Sequence, residues 1–352
     1  MSLSLPLILT TMIPATLIFL LSTHLALMWA ALELNTLTVL YLIANKSHPR
    51  AIEATIKYFI TQALASALMI FSGAFNYEMV GSWKITEMTN PITLTTLTLA
   101  LSIKLGLVPF HFWVPEVLQG MPTLPSIFLL TWQKLGPLVM FFQTAPLINH
   151  NLISSMAILS SIVAGWLGIN QAQVRKLVAL SSIAQMAWMV LIIKYTPSLA
   201  VLTFCIYSVA VSAALVTLDK LSVTTMKSLI TSFSKNPIST LLLMASILSL
   251  SGLPPLAGFT PKWLTISQLI TEKAIWTTFI MLTSTLLTLF FYVRLWYSTI
   301  STMPPNTANM TRLWRKTPPQ GSSPASTLAA AASTLLLCTV FMKAISKDYF
   351  IF

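Results

Sequence analysis

The sequence predicts an all-α, polytopic membrane protein with about eleven transmembrane helices. Hydrophobic residues make up 56% of the 352 residues and charged residues only 8%, with a mean hydropathy of +0.81. A soluble domain carries roughly a quarter charged residues, so lipid must surround most of this chain. Eleven apolar segments and a motif that occurs twice refine the prediction. They indicate two inverted repeats of five helices, each with a broken fourth helix, followed by a C-terminal helix.

The segments are defined by apolar length, because a helix needs about 20 residues to cross the hydrocarbon core of a bilayer. In chain order they cover residues 3–21, 24–44, 52–79, 91–120, 124–145, 148–170, 176–194, 197–218, 237–271, 274–300 and 323–345. No basic region or small-residue cleavage site precedes the first segment, so we expect it to insert directly as a helix.

The fourth and ninth segments contain near-copies of one motif, at residues 106–116 and 252–262. Both copies follow the pattern Gly-Leu-x-Pro-x-x-x-aromatic-x-Pro-charge. Proline removes a backbone donor and clashes with the preceding turn, so each segment is predicted to be a helix broken near mid-membrane. The predicted hinge residues are Gly106, Pro109 and Pro115 in the first copy and Gly252, Pro254, Pro255, Gly258 and Pro261 in the second.

The offset between the two copies maps the first five segments onto segments six to ten. Because each repeat has an odd number of helices, the two repeats cross the membrane in opposite senses. Paired broken helices in inverted repeats are typical of ion sites in transporters. The predicted domains are residues 1–147 and 148–300, with broken helices at 91–120 and 237–271, and a connector with the C-terminal helix at 301–352.

Loop charges predict the orientation, because loops on the inner side carry the excess of lysine and arginine. The net charge of +12 is spread singly between apolar segments, which does not resemble the basic patch of a nucleic-acid-binding protein. Ten loop cations share the side of the N-terminus: Lys46, Arg50, Arg175, Lys176, Lys220, Lys227, Lys235, Arg312, Arg315 and Lys316. Five share the opposite side: Lys84, Lys194, Lys273, Lys343 and Lys347. The N-terminus is therefore expected inside and the C-terminus outside.

Four charged residues, Glu33, Lys104, Lys134 and Lys262, fall near the middle of four different predicted helices. Each lies roughly 14 to 20 Å from a helix end, which is mid-membrane for a core about 30 Å thick. A charge at that depth costs about 2.5 to 3.5 kcal/mol. Either Glu33 forms a static pair with one lysine, or the four form a line of protonatable sites in a hydrated interior. The second interpretation is favoured, since a static pair leaves two lysines uncompensated.

His111 lies inside the first predicted break, where backbone groups lack helical partners. It could relay protons, or its ring could bond a freed carbonyl, and both interpretations stay open. The equivalent position in the second copy is Ala257, so a relay would not be symmetric. Lys57, Glu116 and Arg294 lie nearer to segment ends, and we expect them at the membrane interface.

Redox and nucleotide cofactors have no recognisable site in this sequence. It lacks a Gly-x-Gly-x-x-Gly pattern, a phosphate-binding loop and a cysteine cluster, so NADH, flavin, haem and iron–sulfur centres have no visible ligands. The two cysteines, Cys205 and Cys338, have no metal or disulfide spacing and are expected to be small buried hydrophobic residues. The chain is therefore expected to move charge without a bond-making step.

Three stretches carry long, ordered motifs. Residues 102–116 read Ser-Ile-Lys-Leu-Gly-Leu-Val-Pro-Phe-His-Phe-Trp-Val-Pro-Glu, residues 131–137 read Thr-Trp-Gln-Lys-Leu-Gly-Pro, and residues 251–263 read Ser-Gly-Leu-Pro-Pro-Leu-Ala-Gly-Phe-Thr-Pro-Lys-Trp. They resemble the antiporter-like membrane subunits of respiratory complex I, the NADH:ubiquinone oxidoreductase. Residues 29–35 and 53–62 are similar to mitochondrially encoded members of that family.

The resemblance implies a proton-translocating core subunit, whose protonation changes are driven by quinone reduction elsewhere in the complex. Glu33 resembles the acid that pairs with the lysine of the first broken helix, here Lys104. Lys134 resembles the central lysine, and Lys262 the terminal lysine of the second broken helix. The chain itself is implied to bind no cofactor, with NADH, FMN, iron–sulfur clusters and ubiquinone on other subunits.

The resemblance also implies a location in the mitochondrial inner membrane, with the N-terminus and the connector on the matrix side and the C-terminus in the intermembrane space. Implied partners are other membrane-arm subunits, including neighbouring antiporter-like subunits, and lipids, but no nucleic acid. Compared with the longer bacterial pattern, three leading helices look absent. We therefore expect another subunit to cover the side of the first segment.

Two other functions remain compatible with the sequence. One is a free-standing cation/proton antiporter with the same fold, and the other is a non-conducting scaffold that links neighbouring membrane subunits. Ion flux through the purified chain distinguishes the first, and substitution of the mid-membrane lysines distinguishes the second.

Overall fold

The computed structural model describes residues 4–45, 48–233, 237–254 and 256–301, with the backbone alone for the first six of these. Within those ranges the chain is helical, with fourteen α-helices, one 3₁₀ turn and no strand. The predicted connector beyond Ser301 and the predicted C-terminal helix lie outside the described residues, as do Pro255 and Cys338.

The helices follow the predicted apolar segments closely. They are α1 Ser4–Leu21, α2 Leu25–Ala44, α3 Pro49–Val80, α4 Pro91–Leu105, α5 Trp113–Gly120, α6 Thr123–Leu130, α7 Trp132–Thr144, α8 His150–Ile169, α9 Val174–Ile192, α10 Pro197–Lys220, α11 Met226–Ser232, α12 Pro237–Ser251, α13 Phe259–Thr271 and α14 Ile275–Ser301. The 3₁₀ turn, Ile85–Glu87, lies between α3 and α4.

Seven stretches of the described chain are long and apolar enough to cross a membrane. They are α2, α3, α6 taken together with α7, α8, α9, α10 and α14. Three shorter apolar helices, Thr10–Leu21 within α1, α4 and α12, fall below that length. Two of these three are the first halves of the predicted broken helices, which explains why neither half spans a bilayer alone.

The chain divides into two compact units. Unit 1 comprises residues 1–163 and 182–197, and unit 2 comprises residues 164–181 and 198–352. In unit 1, α3 packs against α2, α4 and α5, and α7 packs against α1, α2 and α4. In unit 2, α14 packs against α11, α12 and α13.

Local sequence signals fix the ends of α3 and α4 in unit 1. Pro49 occupies the first turn of α3, after His48, whose side chain accepts a hydrogen bond from the Arg50 N–H. The helix ends at Gly81, whose φ of 76° is accessible to glycine without strain. Asn90 caps α4 in the same manner through the N–H of Ile92. These residues set the two ends of α3 and the start of α4.

Both predicted broken helices are interrupted in the structure. The first ends at Leu105 and resumes at Trp113, and the second ends at Ser251 and resumes at Phe259. Gly106 and Gly252, with φ of 72° and 80°, end the upstream halves. The upstream half ends because a left-handed residue cannot continue an α-helix.

The predicted hinge prolines divide into two groups. Pro109, preceded by a cis peptide bond, and Pro254 lie within the breaks. Pro115 and Pro261 lie instead in the first turns of α5 and α13. The first N–H groups of a helix have no helical partner, so proline is tolerated there and helps the helix to begin.

The predicted segment at residues 124–145 corresponds to one candidate membrane span, Thr123–Thr144. The helix is interrupted within that span at Thr131, whose φ and ψ of −112° and −72° separate α6 from α7. Pro137 lies inside α7 and removes a helical hydrogen bond to Gln133, which favours a distortion of the preceding turns. The short helix α11 was also missed, although Thr225 and Ser228 form a capping box at its start.

In unit 2 the end of α8 approaches α14 closely. A Cβ added at Gly168 would lie 2.7 Å from the ring of Phe291, so only glycine fits there. One turn of α14 beyond Phe291, Arg294 donates from Nη1 to the carbonyl oxygen of Ile169 at 2.8 Å. The guanidinium thereby satisfies a carbonyl at the carboxyl end of α8.

Candidate functional site

Three of the predicted charged residues lie in unit 1, on helices that pack against one another. Glu33 is on α2, Lys104 is in the last turn of α4, and Lys134 is in the first turn of α7. Because α7 contacts both α2 and α4, the fold brings the three helices together. Lys104 is 5% exposed and Lys134 is 4% exposed, which is unusual for lysine and costly without compensation.

Glu33 and Lys104 are two oppositely charged side chains of unit 1 that interact electrostatically. The Oε2 atom of Glu33 and the Nζ atom of Lys104 are both buried and make no hydrogen bond within the described protein. The two side chains nevertheless interact electrostatically. Glu33 and Lys104 therefore attract each other without forming a tight ion pair. Either group can gain or lose a proton without breaking such a pair.

The helix end adds to the stabilisation of the Lys104 ammonium. Lys104 is in the last turn of α4, where the carbonyl groups without helical partners give the helix end a partial negative charge. Gly106 and Leu107 return their N–H groups to Ile103 and Ser102. The ring N–H of Trp113 also donates to Ile103, at 3.1 Å. These bonds satisfy the backbone carbonyl groups of Ile103 and Ser102.

His111 lies in the first break, as predicted, and is 3% exposed. Its ring lies against Phe112, with 4.1 Å between ring centroids. The Pro109 carbonyl is close enough to interact with the ring, but neither ring nitrogen achieves hydrogen-bond geometry. A buried imidazole beside the Pro109 carbonyl is consistent with a relay role and with a bond to a freed carbonyl, so both interpretations stay open.

Lys262 is the buried lysine of unit 2, at 9% exposed. It belongs to the first turn of α13, and its Nζ reaches back across the break to donate to the carbonyl oxygen of Ser251 at 2.8 Å. A Cβ at Gly252 would lie 2.9 Å from Cδ and 3.0 Å from Nζ of this lysine. A Cβ at Gly258 would collide with the Ser249 carbonyl. These glycines make room for the lysine and for close approach of the two half-helices.

The two lysines of the broken helices lie near comparable helix ends, although one precedes its break in the sequence and the other follows it. Lys104 precedes its break on α4, whereas Lys262 follows its break on α13. Both are nevertheless associated with the carboxyl end of the upstream half-helix, where a cation is stabilised. Motif alignment alone does not reveal this, because it pairs Lys262 with Glu116.

Sequence reasoning missed an ion pair between α3 and α5. Lys57 donates to Glu116 at 2.7 Å and to Glu53, one turn earlier on α3. The three side chains are partly exposed, as expected for the interface, but they are partners of one another. The i, i+4 spacing of Glu53 and Lys57 signals the pair within α3, but the pair with Glu116 has no sequence signal. The pair ties the second half of the broken helix to α3.

Cofactor ligands are not grouped anywhere in the part of the chain that the structure describes, where no three His, Cys, Asp or Glu residues could hold a metal ion. The expectation for Cys205 is wrong, because this residue is exposed on α10 rather than buried. An apolar helix in a membrane can present a small thiol outward without the penalty it would meet in water.

Comparisons with known proteins agree with this architecture. A family model described as "NADH:quinone oxidoreductase/Mrp antiporter, TM" matches residues 22–288, and one described as "NADH dehydrogenase subunit 2 C-terminus" matches residues 289–342. The NADH-ubiquinone oxidoreductase chain 2 of Gallus gallus is 44% identical over 326 residues, which is 93% of this chain and 94% of the relative. The protein of the same name from Xenopus laevis is 45% identical over 294 residues, 84% of this chain and 85% of the relative.

Solved structures show the same fold. A chain of respiratory complex I from Thermus thermophilus with bound Aureothin superposes with a TM-score of 0.80 at 26% identity, covering 93% of this chain and 75% of that chain. A chain of the Mrp complex from Dietzia sp. DQ12-45-1b gives a TM-score of 0.78 at 14% identity, covering 94% and 74%, and shows likeness of fold alone. The family match over most of the length and the identity to full-length relatives lead to one conclusion: the chain belongs to the NADH-ubiquinone oxidoreductase chain 2 family, within the NADH:quinone oxidoreductase/Mrp antiporter membrane proteins.

Proposed function

We propose that the chain is a proton-translocating core subunit of respiratory complex I, the proton-pumping NADH:ubiquinone oxidoreductase. The observation that carries this proposal is the burial of charge beside interrupted helices. In unit 1, α7 carries Lys134 and packs against both α2, which carries Glu33, and α4, which carries Lys104. Lys262 reaches across the break of unit 2. Charges buried in a membrane protein are costly, and those that are present mark ion or proton pathways.

In this proposal Glu33, Lys104, Lys134 and Lys262 act as successive protonatable sites, with His111 as a relay within the first break. Proton transfer changes the charge of one site and thereby alters the proton affinity of its neighbour. A unit charge about 10 Å away, at an effective dielectric near 20, changes that affinity by about 1.7 kcal/mol. Several coupled sites are therefore needed to move a proton against a membrane potential, which costs roughly 2.3 kcal/mol per 100 mV.

The finer architecture is part of the proposal. We place two inverted five-helix repeats at residues 1–147 and 148–300, with residues 301–352 as a matrix-side connector and an eleventh transmembrane helix. The loop charges support an N-terminus on the matrix side and a C-terminus in the intermembrane space. The protein resides in the mitochondrial inner membrane.

Assembly follows from the same proposal. The chain binds other membrane-arm subunits of complex I, including neighbouring antiporter-like subunits, and lipids. It holds no cofactor itself, so NADH, FMN, the iron–sulfur clusters and ubiquinone bind to other subunits. The chain contributes the charge-moving step of an enzyme whose redox chemistry takes place elsewhere.

Replacement of the unit 1 lysines tests the function. Lys104→Met or Lys134→Met in the assembled complex removes a protonatable site while keeping an unbranched side chain of similar length. We expect proton pumping and the coupled quinone reductase activity to fall by at least tenfold, measured in sealed membrane vesicles with NADH. Lys84→Met, which removes an exposed lysine paired with Glu87, is the matched control and should retain both activities.

Full pumping and full reductase activity in both lysine variants would leave only a scaffold role. An intermediate outcome is informative as well. If reductase activity persisted while pumping was lost, the lysines would serve transport without controlling the redox reaction.

A further inference from the structure

Tyr58, on α3, is a completely buried tyrosine to which the proposed function gives no role. Its ring lies against Trp113, with 5.7 Å between ring centroids and an interplanar angle of 52°. Trp113 is itself fixed by its hydrogen bond to Ile103. The Tyr58 hydroxyl, in contrast, has no hydrogen-bond partner within the described protein. A buried hydroxyl in a well-held ring is costly unless something not present in the isolated chain, such as water, engages it.

Glu33 is the ionisable group that interacts electrostatically with Tyr58. The two helices that carry them, α2 and α3, are consecutive and packed together. Glu33 lies eleven residues before Ala44, and Tyr58 nine residues after Pro49. At about 1.5 Å per residue, both are roughly 14 to 17 Å from the ends that the connecting turn joins, so they share one level. Glu33 Oε2 is likewise buried and unpartnered, and it interacts electrostatically with Tyr58.

The charged groups around Tyr58 are few. On the helices packed against α3, the ionisable acids and bases are Glu33 on α2, Lys104 on α4 and Glu116 on α5. Glu116 is already paired with Lys57. An ionised carboxylate only accepts hydrogen bonds and an ammonium only donates them, whereas a phenol does both. Tyr58 is therefore suited to serve Glu33 in either protonation state.

We propose that Tyr58 is a positioning residue for Glu33: its hydroxyl donates a hydrogen bond to one water molecule, which donates in turn to the ionised carboxylate and orients it toward Lys104. When Glu33 takes up a proton, the carboxyl group donates to that water molecule and the hydroxyl accepts from it instead. This inference rests on the proposed function, since it assigns a task to a neighbour of one of its sites.

Tyr58→Phe in the assembled complex tests the inference, because it removes the hydroxyl and keeps the ring. We expect normal assembly and a pH profile of NADH-driven pumping whose acidic limb lies about one pH unit higher, since the ionised carboxylate loses a donor. Tyr207→Phe is the control. Tyr207 is a buried tyrosine of unit 2 that has a partner of its own, so its loss should lower stability without moving the profile.

Glu33→Gln separates failure of this inference from failure of the proposed function. If Glu33→Gln abolishes pumping while Tyr58→Phe leaves the pH profile unchanged, Tyr58 has no positioning role and the function stands. If Glu33→Gln pumps normally, the function itself is wrong. The double variant should be no more impaired than Glu33→Gln alone, because Tyr58 is inferred to act through Glu33.

Should Tyr58→Phe fail to assemble, infrared difference spectra of the native and Glu33→Gln complexes decide. A tyrosine C–O–H band that shifts when Glu33 is replaced supports the contact. A tyrosine spectrum that is identical in the two complexes overturns it.

Discussion

At the scale of single residues, the structure explains why particular glycines stand beside particular charges. Gly252 combines a left-handed backbone with direct contact to the Lys262 side chain. Gly81 has nearly the same φ but has open space where a Cβ would stand. Substitutions at Gly81 and Gly252 can therefore be compared to distinguish the effect of backbone strain from the effect of displacing the lysine.

Gly252→Ala should disturb Lys262, because a methyl group would occupy the space taken by its Cδ and Nζ atoms. Both Gly252→Ala and Gly81→Ala pay roughly 1 to 2 kcal/mol for the left-handed backbone. Only Gly252→Ala is expected to reduce pumping, by several-fold, in vesicles that contain the assembled complex. Equal pumping by the two variants would show that the Gly252 contact does not position the lysine.

At the scale of helices, the two breaks are held together by different devices. In the first, Trp113 at the start of α5 donates to Ile103 near the end of α4. In the second, the ammonium of Lys262 makes the equivalent connection from α13 to Ser251 on α12. One break is thus bridged by a neutral indole and the other by a charge.

Trp113→Phe should loosen the first break, because phenylalanine keeps most of the ring but cannot donate to the Ile103 carbonyl. The expected loss is about 0.5 to 1.5 kcal/mol, with a further penalty if the buried carbonyl is left unsatisfied. The measurement is the thermal inactivation midpoint of the assembled complex. Trp276→Phe, at an exposed tryptophan of α14, is the control and should leave that midpoint unchanged.

Several helix boundaries could be predicted from the sequence because their signals are local. Glycine at 106 and 252 and the prolines that follow predict where two helices stop, and asparagine and proline at 90 and 91 predict where one begins. The interruption at Thr131 could not be read in the same way. Pro137 signals a distortion, but the position at which the helix yields depends on tertiary packing.

For the site residues, too, some features could be predicted from the sequence and others could not. Burial of Lys104, Lys134 and Lys262 was predictable from their depth within apolar segments, since depth is a property of sequence position. The partners were not predictable. Lys57 pairs with Glu116, 59 positions further along the chain, and Lys262 bonds a backbone carbonyl that carries no sequence signal.

At the scale of the whole molecule, the chain has the fold of its family. It contains no grouped cofactor ligands among the described residues, and its relatives are subunits named for an oxidoreductase. Large apolar side chains are exposed along α1, α2 and α3, including Leu17, Leu27 and Phe59. Surfaces of this kind are covered by lipid or by other membrane proteins.

The purified chain reconstituted alone in liposomes is therefore expected to show no sodium-dependent proton flux, measured with a pH-sensitive dye under an imposed sodium gradient. The assembled complex, reconstituted in the same lipid, should acidify the vesicle interior when NADH and quinone are supplied. Sodium-driven flux through the isolated chain would instead favour a free-standing antiporter.

The hydrogen bond from Lys262 to Ser251 couples the charge of this lysine to the contact between the two halves of the second broken helix. As an ammonium, the side chain connects α13 to α12 through this hydrogen bond, and the partial negative charge at the carboxyl end of α12 strengthens it. In the proposed function this lysine releases its proton, and the neutral amine would keep the hydrogen bond but lose the attraction to the helix end. We therefore expect the connection between α12 and α13 to weaken on deprotonation and to strengthen again when the proton returns.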